Sequence, residues 1–387
     1  MRDFVYQCPT KIIFGKEKEN QIGSEVKKYS DKILLHYGGG SIKKTGLYDK
    51  IVKSLKDAGV QIFELGGAQP NPHLSLVHEG IKICRENKIN FVLAAGGGSA
   101  IDSAKAIALG VPYDGDVWDF FIGKAKPKDV LPMGVILTFP ATGSEASNSC
   151  VITNENGWFK RGINTDLNRP KFSILDPELS FTLPPYQTAS GSADIMAHVM
   201  ERYFTNTPHV ELTDRLCEAT LKTMIKNIPV VLKEPQNYDA RAEIMYAGTI
   251  AHCGILGNGR EEDWGSHKIE HELGGMYDIT HGAGLAVIIP AWMKYVYKIN
   301  INRFAQYAER VWDVEVDLNN TEAAALLGIE KLKSFFKSIG LPTSLKDLNI
   351  PSDKFEEMAE KCVKYGPVGG LKKLYKEDVV NILNLSK

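Results

Sequence analysis

The residues of this chain best suited to chemistry gather in two short stretches. Asp194 and His198 lie in Ser-Gly-Ser-Ala-Asp194-Ile-Met-Ala-His198, and His267, His271 and His281 lie in His267-Lys-Ile-Glu-His271-Glu-Leu-Gly-Gly-Met-Tyr-Asp-Ile-Thr-His281. Four of the nine histidines fall in these stretches. An i,i+4 spacing puts both side chains of a pair on one helix face. Imidazole and carboxylate together suit a divalent ion such as Fe(II) or Zn(II). One such pair arises easily as an accident of packing; two pairs, one with a carboxylate, ask for a common explanation. The metalloprotease signature His-Glu-x-x-His is broken, because its second histidine would fall at Gly275, so a zinc protease is disfavoured.

The elements that must position these residues change character along the chain. Apolar runs at 32–37, 61–65, 91–95 and 133–139 read as strands, and helical patterns at 47–58, about 74–87 and about 100–110 separate the first three and follow the third. Leu47, Ile51, Leu55 and Ala58 share a helix face. This alternation implies a mainly parallel sheet covered by helices. After Pro184-Pro185 helical patterns dominate, over 188–203, 212–232, 240–255, 266–273, 281–297, 303–311, 321–339 and 356–365. The spacing therefore predicts an α/β domain over 1–185 and an all-helical domain over 186–387.

Glycine-rich turns close the strands, where an open α/β sheet binds its ligand. The strongest is Gly96-Gly97-Gly98-Ser99-Ala-Ile-Asp102. Its glycines let backbone N–H groups approach a pyrophosphate, and the helix that follows adds its positive end. It is not the strict G-x-G-x-x-G turn. The turn Gly38-Gly39-Gly40-Ser41-Ile-Lys43-Lys44 carries no acidic residue to bind ribose hydroxyls, and its lysines tolerate a 2′-phosphate, which favours NADP(H) over NAD(H). Thr138-Phe-Pro-Ala-Thr142-Gly-Ser144 offers hydroxyls at a strand end for phosphate or nicotinamide.

Composition removes several function classes. The chain has 387 residues, 43% hydrophobic and 24% charged, as a globular protein does. A net charge of −1 gives no electrostatic case for nucleic acid or an acidic membrane. Six scattered cysteines without a Cys-x-x-Cys fit free thiols in a reducing cytoplasm. No secretory leader and no run of ~20 apolar residues is expected.

Taken together the segments resemble the iron-containing (group III) alcohol dehydrogenases, closest to the butanol dehydrogenase and broad aldehyde reductase branch. The likeness runs nearly end to end: Thr10-Lys-Ile-Ile-Phe-Gly15, Gly38-Gly39-Gly40-Ser41, Pro70-Asn71-Pro72, Gly96-Gly97-Gly98-Ser99-Ala-Ile-Asp102, Thr138-Phe-Pro-Ala-Thr142-Gly-Ser144-Glu, Asp176-Pro, and the two histidine stretches. The resemblance implies a Rossmann-like dinucleotide domain followed by an all-helical domain, an architecture like that of dehydroquinate synthase. It implies metal ligands at Asp194, His198, His267 and His281, with His271 beside the nicotinamide as a proton relay. It places cofactor contacts at Gly38, Gly39, Gly40, Ser41, Asn71, Gly96, Gly97, Gly98, Ser99, Asp102, Thr138, Thr142 and Lys160, and gives Asp102 a catalytic role as well. The implied activity is reduction of short-chain aldehydes such as butanal, or oxidation of the alcohols, with one divalent metal and a nicotinamide nucleotide as cofactors; the implied assembly is a homodimer.

Two alternatives stay open at this level. One is a polyol dehydrogenase of the glycerol or propanediol type. The other, from a different class, is a metal-dependent lyase of dehydroquinate synthase type, which needs clustered Lys and Arg for an anionic substrate. The basic residues between Asp194 and His281 fall in no recognisable anion-binding motif.

Overall fold

Six parallel strands build the sheet of the first half in the computed structural model, which describes residues 1–387. They are β1 Lys11–Phe14, β2 Lys32–Gly38, β3 Gln61–Ala68, β4 Val92–Gly97, β5 Met133–Phe139 and β8 Phe172–Leu175, in the order β1-β8-β5-β4-β2-β3. β6 Ser149–Asn154 and β7 Phe159–Asn164 form a separate antiparallel hairpin. The helices of this half are α1 Ile22–Lys27, α2 Ser41–Lys44, α3 Leu47–Asp57, α4 Leu74–Glu86, α5 Gly98–Gly110 and α6 Trp118–Phe121.

The central strands are apolar on both faces, as a covered parallel sheet demands: Ile33, Leu34 and Leu35 are all fully buried. On α3 the buried positions are Leu47, Ile51 and Leu55, which pack with Ile33, Leu35, Leu93 and Ile136 over one face of the sheet. α5 is buried along almost its whole length and packs with α4. The chain leaves β2 toward β3 on one side and leaves β4 toward β5 on the other. β2 and β4 are neighbours, so the order reverses between them and opens a crevice at their carboxyl ends.

The four strands read from sequence are all present, but the sheet has six. β1 and β8 escape the pattern because each is only four residues long, and β8 runs into Asp176-Pro177 rather than a glycine turn. The hairpin β6–β7 was likewise not foreseen.

The second half is helical: α7 Pro185–Tyr203, α8 Glu211–Lys233, α9 Tyr238–His252, α10 Gly265–Tyr277, α11 His281–Val296, α12 Ile301–Trp312, α13 Thr321–Ser338, α14 Phe355–Cys362 and α15 Lys376–Leu385. α15 is an addition to the sequence reading. α7 is buried from Thr188 to Tyr203 and α11 from Gly282 to Met293, so these two are core helices that other helices wrap. The compact units are Gln7–Thr182, and Leu183–Lys387 joined by Met1–Tyr6. The first residues belong with the helices through Arg2 N–H to the Gly259 carbonyl, 2.8 Å, and the Arg2–Glu261 ion pair, 2.7 Å.

Candidate metal centre and nucleotide turns

Three core helices of the second unit aim donors at one point. Asp194 and His198 stand one turn apart on α7, His267 lies in the first turn of α10, and His281 opens α11. Asp194 Oδ1 lies 3.7 Å from His198 Nε2, 3.7 Å from His267 Nε2 and 3.6 Å from His281 Nε2. These separations exceed hydrogen-bond length, and neither Asp194 Oδ1 nor His267 Nε2 has a hydrogen-bond partner although both are buried. Four donors about 2.1 Å from a tetrahedral ion stand roughly 3.4 Å apart. Donor atoms of Asp194, His267 and His281 all lie within 4.8 Å of one another and fit a divalent ion, which would satisfy the orphaned atoms; His198 comes within 3.7 Å of the carboxylate but stands outside that closest group.

The ring faces are packed as tightly as the donors. His198 lies 4.3 Å from His252 and 4.8 Å from His267, ring centre to ring centre. Trp264, whose backbone is left-handed at φ 66°, sets its indole 5.1 Å from His267 and donates from Nε1 to Glu262 at 2.6 Å. On the far side of the imidazoles stand two buried carboxylates. Glu201 on α7 accepts from His267 Nδ1 at 2.7 Å, from Ser266 Oγ at 2.5 Å and from the Trp264 N–H at 2.7 Å, so it also ties down the start of α10. Glu270 on α10 accepts from His281 Nδ1. Glu270, His271 and His281 form a second close group. That closeness reflects the Glu270–His281 hydrogen bond, which uses the nitrogen turned away from Asp194.

Burial and charge pull these groups in different directions. Burial pushes a carboxyl up, but His198, His281 and His267 outweigh it and hold Asp194 well below the usual carboxylate range. Burial drives His198 well below the usual imidazole value against the pull of Asp194. Burial also opposes the charged form of His267, yet Asp194 and Glu201 overcome it and raise that imidazole to about 9. His271 is buried one turn after His267, its ring centre 5.8 Å from His281.

The α/β unit brings the other singled-out residues to one edge of its sheet. Gly38 ends β2 and Gly39–Ser41 follow it, Gly96 and Gly97 end β4 and Gly98 and Ser99 open α5, Thr138 lies near the end of β5 and Thr142 beyond it, and Asn71 follows β3; these four strands are neighbours. The glycines serve different ends. Gly40 needs its positive φ of 104°, and a side chain there would meet nothing within 4 Å. A Cβ on Gly98 would come within 2.4 Å of the Thr142 side chain, so that glycine is demanded by packing. Asn71 is buried with φ 53°, a conformation asparagine tolerates better than most residues. Lys160 is buried on β7, opposite Thr153, whose N–H donates to the Pro72 carbonyl at 2.7 Å, so the hairpin carries Lys160 beside the Asn71 loop.

Asp102 sits inside this unit with both carboxylate oxygens engaged, Oδ1 by Ser144 Oγ at 2.5 Å and Oδ2 by the Val151 N–H at 2.9 Å. Burial raises its pKa, with Lys105 and Ser144 opposing. Lys105 is wholly buried and donates to the Ser147 and Ser149 carbonyls at 3.0 and 2.8 Å; burial lowers it to about 8. Lys43 Nζ lies over the rings of Tyr37 and Tyr48, at 5.1 and 4.7 Å, and both tyrosines donate to Glu64 on β3.

Sequence reasoning passed over Glu201, Glu270, Trp264, His252 and Lys105. The two glutamates carry a usable signal: each stands three residues after a donor histidine, on a neighbouring face of the same helix.

Comparison with known proteins gives this arrangement its class. Residues 9–177 match the model for iron-containing alcohol dehydrogenase, and residues 188–386 the C-terminal model of the Fe-containing alcohol dehydrogenase family. The chain belongs to the iron-containing alcohol dehydrogenase family and is an oxidoreductase. It is 45% identical over 386 residues to a probable NADH-dependent butanol dehydrogenase 1 of Bacillus subtilis, covering all of both chains. It is 36% identical to the NADPH-dependent aldehyde reductase YqhD of Escherichia coli, covering 95% of this chain and 94% of that one. The solved NADH-dependent butanol dehydrogenase A of Thermotoga maritima superposes with a TM-score of 0.96 at 41% identity, over 100% of this chain and 99% of that one. No helix is long and apolar enough to cross a membrane.

Proposed function

We propose that this chain is a metal- and NAD(P)H-dependent alcohol dehydrogenase that works chiefly as an aldehyde reductase on short-chain primary aldehydes, butanal among them. One observation carries the reading: a buried carboxylate oxygen without a hydrogen bond, 3.6–3.7 Å from three imidazole nitrogens. Asp194, His198, His267 and His281 are the proposed holders of the ion. When bound, a divalent metal supplies Lewis-acid polarisation of a carbonyl oxygen, and a reduced nicotinamide supplies hydride to the carbonyl carbon. The donor set accepts Fe(II) or Zn(II), and the family's description favours iron.

The chain's own residues do the rest. His271, one turn after His267, is the proposed relay that carries a proton to the product oxygen from solvent. Gly38, Gly39, Gly40, Gly96, Gly97, Gly98 and Ser99 offer backbone N–H groups to the pyrophosphate, with the start of α5 behind them. Ser41, Asn71, Thr138, Thr142 and Lys160 are the proposed side-chain contacts. Asp102 was expected to act in catalysis as well; with both oxygens engaged, holding the Ser144 loop and Val151 is the role its geometry favours.

The choice of nucleotide is finely poised. The absence of a carboxylate at Ser41 supports NADP(H) over NAD(H). Lys43 is drawn onto two tyrosine rings, which leaves Ser41 and Lys44 to meet a 2′-phosphate. The relatives bear both kinds of name. NADPH is the proposed better substrate, with NADH accepted. A homodimer is proposed from the exposed apolar side chains of Phe4, Val5, Leu212 and Tyr246, and a reducing, cytoplasmic setting from six free cysteines.

Initial rates with NADPH and NADH against an aldehyde chain-length series, on metal-stripped and metal-restored enzyme, test the proposal. Full activity without metal, or no activity on any aldehyde with metal restored, overturns it.

A further inference from the structure

We infer that Glu270 is a positioning residue for the metal centre and that Gly284 is the space kept open for it. The inference rests on the metal-site reading above and goes one layer outward from it. His281 must present a bare Nε2 toward Asp194, which requires its proton to sit on Nδ1. Glu270, wholly buried on α10, lies against that Nδ1 and accepts its proton as a hydrogen bond. A carboxylate on the outer nitrogen of a ligating imidazole fixes the tautomer and the ring plane and makes the inner nitrogen more basic.

The fold makes room for this carboxylate at one place. Gly284 lies in the first turn of α11, three residues beyond His281, and a Cβ built on it would lie 2.8 Å from Cδ1 of Ile279 and 2.9 Å from both Cγ and Oε1 of Glu270. Real Cβ atoms do not sit that close, so a side chain at 284 requires Ile279 and Glu270 to shift, and a shift of the glutamate disturbs its contact with the imidazole. The run His281-Gly-Ala-Gly284 thus carries two pieces of one device: the donor, and the vacancy that lets its partner reach it.

His267 has a similar partner in Glu201, but that glutamate also binds Ser266 and the Trp264 N–H. Removing it would disturb the start of α10 as well as the imidazole. His198 has no protein partner at Nδ1 and is held by ring packing. Glu270 is therefore where orientation can be separated from structure.

The test uses Glu270→Gln, Gly284→Ala, the double variant, and His267→Ala as a control, all as full chains. Zn(II) affinity is measured by chelator competition, and thermal unfolding is followed with and without Zn(II). Glu270→Gln should bind Zn(II) about 10–100-fold more weakly. Its gain in Tm on adding metal should shrink, while the metal-free Tm changes less. Gly284→Ala should weaken binding in the same direction with the carboxylate intact. The double variant should lose no more than the worse single one, because both remove the same contact. Raising Zn(II) should restore the metal-dependent gain in Tm, which a folding defect would not allow. Unchanged affinity in Glu270→Gln, with metal lost from His267→Ala, overturns this inference and leaves the metal site standing. If Glu270→Gln does not fold, Gly284→Ala decides alone, and wild-type affinity there overturns the inference. A parent chain that binds no Zn(II) overturns both.

Discussion

Two buried histidines, one in each half of the molecule, end with opposite shifts although burial pushes both the same way. His36 lies on β2, between β4 and the edge strand β3, fully buried, with Nδ1 2.9 Å from the Leu65 carbonyl and Nε2 without a hydrogen-bond partner. Burial pushes it down to about 4, and the carbonyl opposes only weakly. His267 is as deeply placed, yet Asp194 and Glu201 on either side lift it to about 9. Desolvation is common to both, so the carboxylates make the difference. A neutral imidazole in apolar surroundings is a core residue; one flanked by buried carboxylates is a site that wants positive charge. A divalent ion meets that want as well as a proton does.

The largest break in this contrast comes from His267→Ala. It removes one of the proposed donors and the partner of Glu201. Metal content should fall to a small fraction of one per chain, and kcat by about a thousandfold, equivalent to roughly 4 kcal/mol in the barrier. Elemental analysis beside the rates checks it. Full occupancy and full activity would mean that the carboxylates around His267 have another purpose.

His36 tests the other arm. Its folded pKa lies below the ordinary value, so the stability it contributes is fully present above about 6.5 and is lost as pH falls toward about 4, where the unfolded chain binds a proton that the sheet refuses. The shift corresponds to about 3 kcal/mol. His36→Asn keeps a donor near the Leu65 carbonyl and removes the titration. Urea unfolding at pH 7.5 and pH 4.5 should show the parent losing more stability than the variant. Equal losses would show that His36 is not the acid-sensitive group.

The contrast also explains what the sequence reveals. The pairs Asp194/His198 and His267/His271 are legible because their types are scarce and their i,i+4 spacing is helical, whereas the choice of His281 over His271 as a ligand comes from the family resemblance. Glu201 and Glu270 are not, because 47 Asp and Glu populate the chain and a glutamate on a helix looks like a solvated face. The glycine turns are legible as glycine, but not why each glycine is needed: Gly40 by backbone angle, Gly98 by the nearness of Thr142. β1 and β8 were missed because four residues are too few to show a period, although they complete the sheet. Pairing with β5 and with each other is what makes them strands, and that is long-range information.

His271 stands between the two cases, buried near His281 and on the face of His267. His271→Ala should keep the metal and lower kcat about thirtyfold, roughly 2 kcal/mol, mostly by flattening the pH dependence near neutrality. Metal content measured beside kcat across pH separates the outcomes. Lost metal makes it a ligand; retained metal with an unchanged profile makes it a packing residue and ends the relay idea.

The smallest expected effect comes from adding a carboxylate where the α/β unit has none. Ser41 is exposed at the start of α2, directly after Gly40. Glu64 on the neighbouring β3 already accepts from Tyr37 and Tyr48. Ser41→Asp places a negative charge on the open side. It repels a 2′-phosphate and can accept from ribose hydroxyls, so it should shift the ratio of kcat/KM for NADPH over NADH about tenfold toward NADH, or roughly 1.4 kcal/mol. Thermal unfolding should be nearly unchanged, because Ser41 is a surface position. The metal centre provides the control: Zn(II) affinity and the pH profile should stay as in the parent, since the substituted residue lies in the other unit. A parent already tenfold better with NADH, and a variant with the same ratio, would show that Ser41 does not read the phosphate. Discrimination would then have to come from elsewhere on the edge of the sheet, with Glu64 and the lysine above its tyrosines as the next groups to change.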